Sequence, residues 1–133
     1  MNKFQEFKAY LMYRKAVMMA TKAHKETGKR YFVLPNYDKK IHLVVADIKN
    51  FKRLRLKGYI HPDIKVNNLY KLSFYYTPNV HGGKVITENE LKEKQVRYQD
   101  WYSSRLSEIK GHKPNIFEKR RRDKEYDKRI EQM

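Results

Sequence analysis

Cysteine is absent from the 133-residue sequence, which excludes disulfides, thiolate metal sites and a cysteine nucleophile. Glycine and proline are scarce, at five and four, and tryptophan occurs once, so no Pro/Gly low-complexity chain is at hand. Long apolar runs are missing too. The longest, Tyr31 to Pro35 and Leu43 to Ala46, are strand-sized and well short of the roughly 18 residues of a membrane span. The opening Met1-Asn2-Lys3-Phe4-Gln5-Glu6 carries no apolar stretch of the signal-peptide kind. Synthesis in a cytoplasm, with no membrane partner, is therefore expected. Acid is also in short supply: 15 Asp and Glu stand against 31 Lys and Arg, for a formal net charge of +16.

What is present is apolar enough to fold. Hydrophobic residues make up 40% and aromatics 14% of the chain, too much for a disordered polybasic tail. The length suits one domain with a modest core, not a multidomain enzyme. The charge is uneven. Residues 1–30 hold eight Lys/Arg against two acids and residues 31–60 seven against two, whereas 87–111 balance at five of each. Such an excess draws polyanions and opposes self-association; nucleic acid and an acidic protein surface both qualify as partners.

The expected fold is α+β: a long N-terminal helix, a small antiparallel sheet with a β-hairpin, a short basic helix, a second long helix and a charged C-terminal helical tail. Phe4, Phe7, Leu11, Met18 and Met19 recur at helical spacing, with Tyr10, Tyr13, Val17 and Ala20 widening the stripe, and this predicts a helix over 4–25 that buries them. Gly28 suits its left-handed cap. Met12, Met18 and Met19 read as adaptable core filling, with a Met-rich docking groove as the alternative. The runs Arg30 to Pro35 and Ile41 to Ala46, parted by a polar Asn/Asp loop, predict a hairpin. Asp47 can cap a short helix whose apolar side is Ile48, Phe51, Leu54 and Leu56, with Gly58 as its stop. The later part of Leu69 to Thr77 reads as a third strand. Thr87 and Glu90 form a capping box for a helix carrying Leu91, Tyr98, Trp101, Tyr102, Leu106 and Ile109, which closes at Gly111.

These elements define a domain over 1–111. Residues 112–133 form a basic tail whose apolar residues, Ile116, Phe117, Tyr126 and Ile130, are too sparse to hold it to a core, so it is expected to become helical on binding. Candidate contact residues follow from the charge: Lys49, Lys52, Arg53, Arg55 and Lys57 on the short helix, and Lys119, Arg120, Arg121, Arg122, Lys128 and Arg129 in the tail.

No constellation points to catalysis. The five histidines, His24, His42, His61, His81 and His112, lack metal-ligand spacing, and no metal, cofactor or small-molecule substrate is expected. His81-Gly82-Gly83-Lys84 lacks the first glycine and the hydroxyl of a phosphate-binding loop. Ser103-Ser104 has no base at a readable spacing. Aromatic residues beside cations, Arg30-Tyr31-Phe32 and Phe74-Tyr75-Tyr76, could stack bases on a sheet. The plainer reading, which weighs more, packs those rings against the long helices.

Three segments, Thr27-Gly28-Lys29-Arg30-Tyr31-Phe32-Val33-Leu34-Pro35, Phe51 to Ile60 and Phe74-Tyr75-Tyr76-Thr77-Pro78, carry a resemblance. Together they make residues 21 to 102 similar to small basic virion proteins of crAss-like phages of Bacteroidetes hosts, the portal vertex auxiliary type above all. That resemblance implies a non-enzymatic virion protein, made in the bacterial host cytoplasm and seated against the portal and major capsid proteins, with double-stranded DNA nearby. It transfers no catalytic residue and leaves the basic tail unaccounted for. The alternative is a free cytosolic nucleic-acid-binding protein, regulatory or ribosome-associated.

Overall fold

Asn2 starts the first helix of the computed structural model, which describes residues 1–38, 40–78 and 85–110. Its Oδ1 accepts from the Gln5 N–H at 2.8 Å, and Gln5 Oε1 accepts from the Asn2 N–H at 3.2 Å. This reciprocal cap satisfies two donors that the first turn cannot. Helix α1 (Lys3–Thr27) ends at Gly28, whose φ of 73° and N–H donation to the His24 carbonyl at 2.8 Å make the expected left-handed cap.

Strands β1 (Phe32–Pro35) and β2 (Leu43–Ala46) form the hairpin, antiparallel, with Phe32 opposite Ala46 and Pro35 opposite Leu43. Pro35 closes its strand, where a missing N–H breaks no ladder. Helix α2 (Ile48–Leu56) is capped by Asp47, whose Oδ1 accepts from the Asn50 N–H at 2.8 Å. Gly58, at φ 85°, turns the chain away after it. Asn68 then bends its Oδ1 back to the Lys65 N–H at 2.7 Å, a local bond that favours a helical turn over a strand. Residues 66–68 accordingly form a 3-10 turn leading into α3 (Leu69–Leu72). Only Tyr75–Tyr76 extend as β3, pairing with β1 so that the sheet order is β2-β1-β3. Helix α4 (Glu88–Lys110) has Thr87 Oγ1 accepting from the Glu90 N–H at 3.2 Å. Glu90 uses its carboxylate elsewhere, accepting from the Tyr76 hydroxyl at 2.8 Å.

The sheet is covered on both faces. Val33 joins Ala9, Tyr13, Ala16, Ala20, Phe74, Tyr98 and Tyr102 in the layer formed with α1 and α4. Phe32, Leu34, Ala46 and Tyr76 meet Phe51, Ile60 and Leu69 in the layer formed with α2 and α3. Alternation along β1 decides which ring goes where, since successive side chains leave opposite faces. The α+β architecture with its long N-terminal helix is thus as expected.

The face that α1 buries is as expected only in part: Tyr13 and Ala20 lie inside and Val17 is half-buried. Phe4, Phe7, Tyr10, Leu11, Met18 and Met19 are all exposed, and the inner face is Ala9, Tyr13, Ala16 and Ala20. Both sets keep a three-to-four repeat. The alanines win because small side chains let α1 approach its neighbours closely, near enough for the Tyr98 hydroxyl to reach the Ala9 carbonyl at 2.5 Å and the Tyr13 hydroxyl to reach the Phe74 carbonyl at 2.8 Å. Leu56 is likewise turned out, 87% exposed, and Ile48 and Ile109 are exposed as well. Five residues at about 100° each place Leu56 well away from the buried Phe51.

Candidate interaction surface

The sheet offers no platform for bases. Phe32 and Tyr76 are fully buried, Phe74 nearly so, and Tyr31 and Tyr75 are half-covered within the α1/α4 layer. The rings pair with each other: Phe32 with Tyr70 at 5.3 Å and 76°, Phe74 with Tyr98 at 5.4 Å and 73°. Edge-to-face contacts of this kind stabilise by about 0.5–1.5 kcal/mol beyond area burial. Burial also pushes the hydroxyl pKa values of Tyr13, Tyr76 and Tyr98 above the ordinary 10, with Glu90 adding to the rise at Tyr76. All three are thereby kept as hydrogen-bond donors.

A buried polar cluster is the next place to look for chemistry, because perturbed, paired groups gather at active sites. Arg30 donates from Nη1 to the Tyr70 hydroxyl and stacks its guanidinium over the Tyr70 ring at 4.9 Å. Lys94, 2% exposed, donates from Nζ to the Tyr70 and Ser73 carbonyls, each at 2.6 Å. Arg97 donates to the Lys71 carbonyl at 2.7 Å and to that of Ser73 at 3.1 Å. These are the carbonyls at the end of α3, which a helix cannot satisfy internally. Each charge meets backbone or ring, and the cluster works as the clasp between α4 and α3. Arg105 plays the same part further along, donating to the Asn36 and Asp38 carbonyls.

The short basic helix is different. Phe51 is buried and Leu54 half-buried, while Lys49, Lys52, Arg53 and Lys57 are exposed on the remaining arc around Leu56. None of these four forms an ion pair or side-chain hydrogen bond with a described residue. Arg55 belongs to the fold instead: its Nη1 donates to the Ile64 carbonyl at 3.0 Å and its guanidinium covers the Phe51 ring at 5.2 Å. Asp47, the one acid of this region, is turned to capping and to Lys29, 3.8 Å away. A rigid cationic face with an apolar tip is what α2 presents to solvent. Basic residues in its last turn also favour the negative end of the helix dipole, so part of the pattern serves the helix itself.

The tail candidates Lys119, Arg120, Arg121, Arg122, Lys128 and Arg129, the rest of 112–133, the closing Gly111 and the His81-Gly82-Gly83-Lys84 turn lie outside the described residues. Among the described residues no group of three or more His, Asp or Glu is placed to hold a metal ion, and no helix is long and apolar enough to cross a membrane. Two features departed from the leading sequence reading, the second of them touched by the docking-groove alternative for Met18 and Met19. Lys94 reads by residue type as one more solvated lysine, yet it stands three residues after Leu91 and four before Tyr98, on the apolar stripe of its helix. The outward apolar face of α1 did leave a signal, in lysines at 8, 15 and 22 beside the apolar positions.

No family model, curated protein or solved structure matches the chain.

Proposed function

We propose that this chain is a non-enzymatic accessory subunit of a phage virion, bridging larger shell and portal proteins at the portal vertex or capsid, close to packaged double-stranded DNA. The observation that carries the contact role is the α2 face, where Lys49, Lys52, Arg53 and Lys57 stand in solvent without a described carboxylate beside them. Docking this face takes four cations out of water, which is costly unless negative charge opposes them, so the matching surface is anionic, either acidic protein or phosphate. The virion placement comes from the resemblance, whose segments carry the α1 cap, the central strand, α2 and β3.

The test is quantitative mass spectrometry of gradient-purified particles, washed in rising salt, against lysate of the same infected culture. Enrichment in particles, kept through high salt, is the expected result. A chain left in the soluble fraction overturns the proposal. If it then binds DNA with a log–log salt slope of about −0.9 per phosphate contacted, it is a free nucleic-acid binder instead.

A further inference from the structure

The outer face of α1 is an apolar seam in a cationic frame. Phe4, Leu11 and Met18 recur every seven residues with Phe7 between the first two, and all four are exposed, Phe4 by 64% and Met18 by 63%. They lie on the side of the helix opposite Ala9, Ala16 and Ala20, so the core makes no use of them. Around Leu11 and Met18 the helix surface is an open, shallow apolar patch bordered by Arg14, Lys15 and Lys22. Lys8, Lys15 and Lys22 follow the same seven-residue interval along one flank, all exposed, and Lys8 rests over the Phe4 ring at 4.7 Å. Arg14 and Lys25 continue the seam itself.

A seven-residue apolar interval with charge at a fixed flanking position is how one helix specifies another. We infer that α1 docks an acidic amphipathic helix of a partner protein, apolar along its contact stripe and bearing Asp or Glu beside that stripe opposite Lys8, Lys15 and Lys22. A second copy of this chain is the wrong occupant. In an antiparallel pair the lysine row would face itself, and in a parallel pair Arg14 would meet Arg14 and Lys25 would meet Lys25. A bilayer surface fits less well, because it has no seven-residue register to answer. Arg14 and Lys25 also sit in line with the apolar residues, so immersing the full helix face would drag them below the headgroups. A carboxylate-bearing helix meets both features at once, and the chain's net charge of +16 speeds its approach. This surface is distinct from the cationic face of α2.

The experiment titrates the full chain against a fluorescently labelled synthetic helix of about four heptads, with Leu along the stripe and Glu at both flanks. The expected result is micromolar binding in low salt that weakens roughly tenfold or more in Leu11→Glu and in the double variant Lys15→Glu/Lys22→Glu. It should be abolished when the peptide's Glu are exchanged for Lys, and it should be unchanged by Lys49→Glu/Lys52→Glu on α2. Every substituted residue is exposed, so the thermal unfolding of each variant should match the parent and any loss of binding belongs to the surface. Three outcomes overturn the inference: no binding of the acidic peptide; binding indifferent to Leu11→Glu; or, in its place, Leu11-dependent binding to phosphatidylglycerol-containing vesicles or self-association seen by sedimentation equilibrium.

Discussion

Replacing Tyr98 by alanine is expected to lower the unfolding free energy by about 3–5 kcal/mol, the range for deleting a large buried aromatic. The ring is 1% exposed and touches Tyr13, Phe74, Trp101 and Tyr102, with centroid distances from 4.9 to 6.1 Å. Its hydroxyl donates to the Ala9 carbonyl, so one residue ties α4 to α1 through both packing and polarity. Domains of this size have about 5–15 kcal/mol in hand, and the urea midpoint should drop accordingly. Tyr98→Phe separates the two contributions. It keeps the ring and should cost only about 1–2 kcal/mol, the hydrogen bond alone. Equal losses in the two variants would show that packing around this ring is not what joins the helices.

The second large effect is expected at a residue that reads as surface. Lys94→Met keeps most of the stem and removes the ammonium, leaving the Tyr70 and Ser73 carbonyls short of a donor in a buried place. Unsatisfied buried carbonyls cost about 1–3 kcal/mol each. Arg97 still reaches the Ser73 carbonyl and the Ser73 hydroxyl lies 3.5 Å from the Tyr70 carbonyl, so a net loss of roughly 1–3 kcal/mol is expected. Lys92→Met, exposed and two residues away on the same helix, serves as the reference and should stay within about 0.5 kcal/mol of the parent. Urea unfolding of the pair decides it. A Lys94 variant as stable as the Lys92 one would mean that the clasp between α4 and α3 contributes nothing.

Both results bear on what could be read in advance. The hairpin, the Asp47 and Gly28 caps and the third strand followed from local chemistry, where one or two residues settle a turn or a helix end. Which face of α1 would be buried did not, because two stripes satisfy the same period and the choice between them is made by how closely Ala9, Ala16 and Ala20 let the sheet and α4 approach. Hydrophobicity favoured residues that face outward, and of the expected stripe only Tyr13 and Ala20 are buried. Lys94 falls on the stripe of Leu91, Tyr98 and Tyr102, so its inward position was legible, but its partners were not, being backbone carbonyls more than 20 residues away. The cationic arc of α2 was legible almost whole: four of its five candidates are exposed as the helical spacing requires. Arg55 alone is taken up by the fold, in a bond to Ile64 that no local pattern announces.

The proposed contact role sets the cationic face of α2 against a larger anionic surface. The measurement that bears on it most directly is retention of the triple variant Lys49→Glu/Lys52→Glu/Arg53→Glu in purified particles, with its thermal unfolding recorded alongside. The expected outcome is an unchanged unfolding transition and loss of the variant from the particle fraction. A variant that stays with particles as firmly as the parent, while folded, would contradict it.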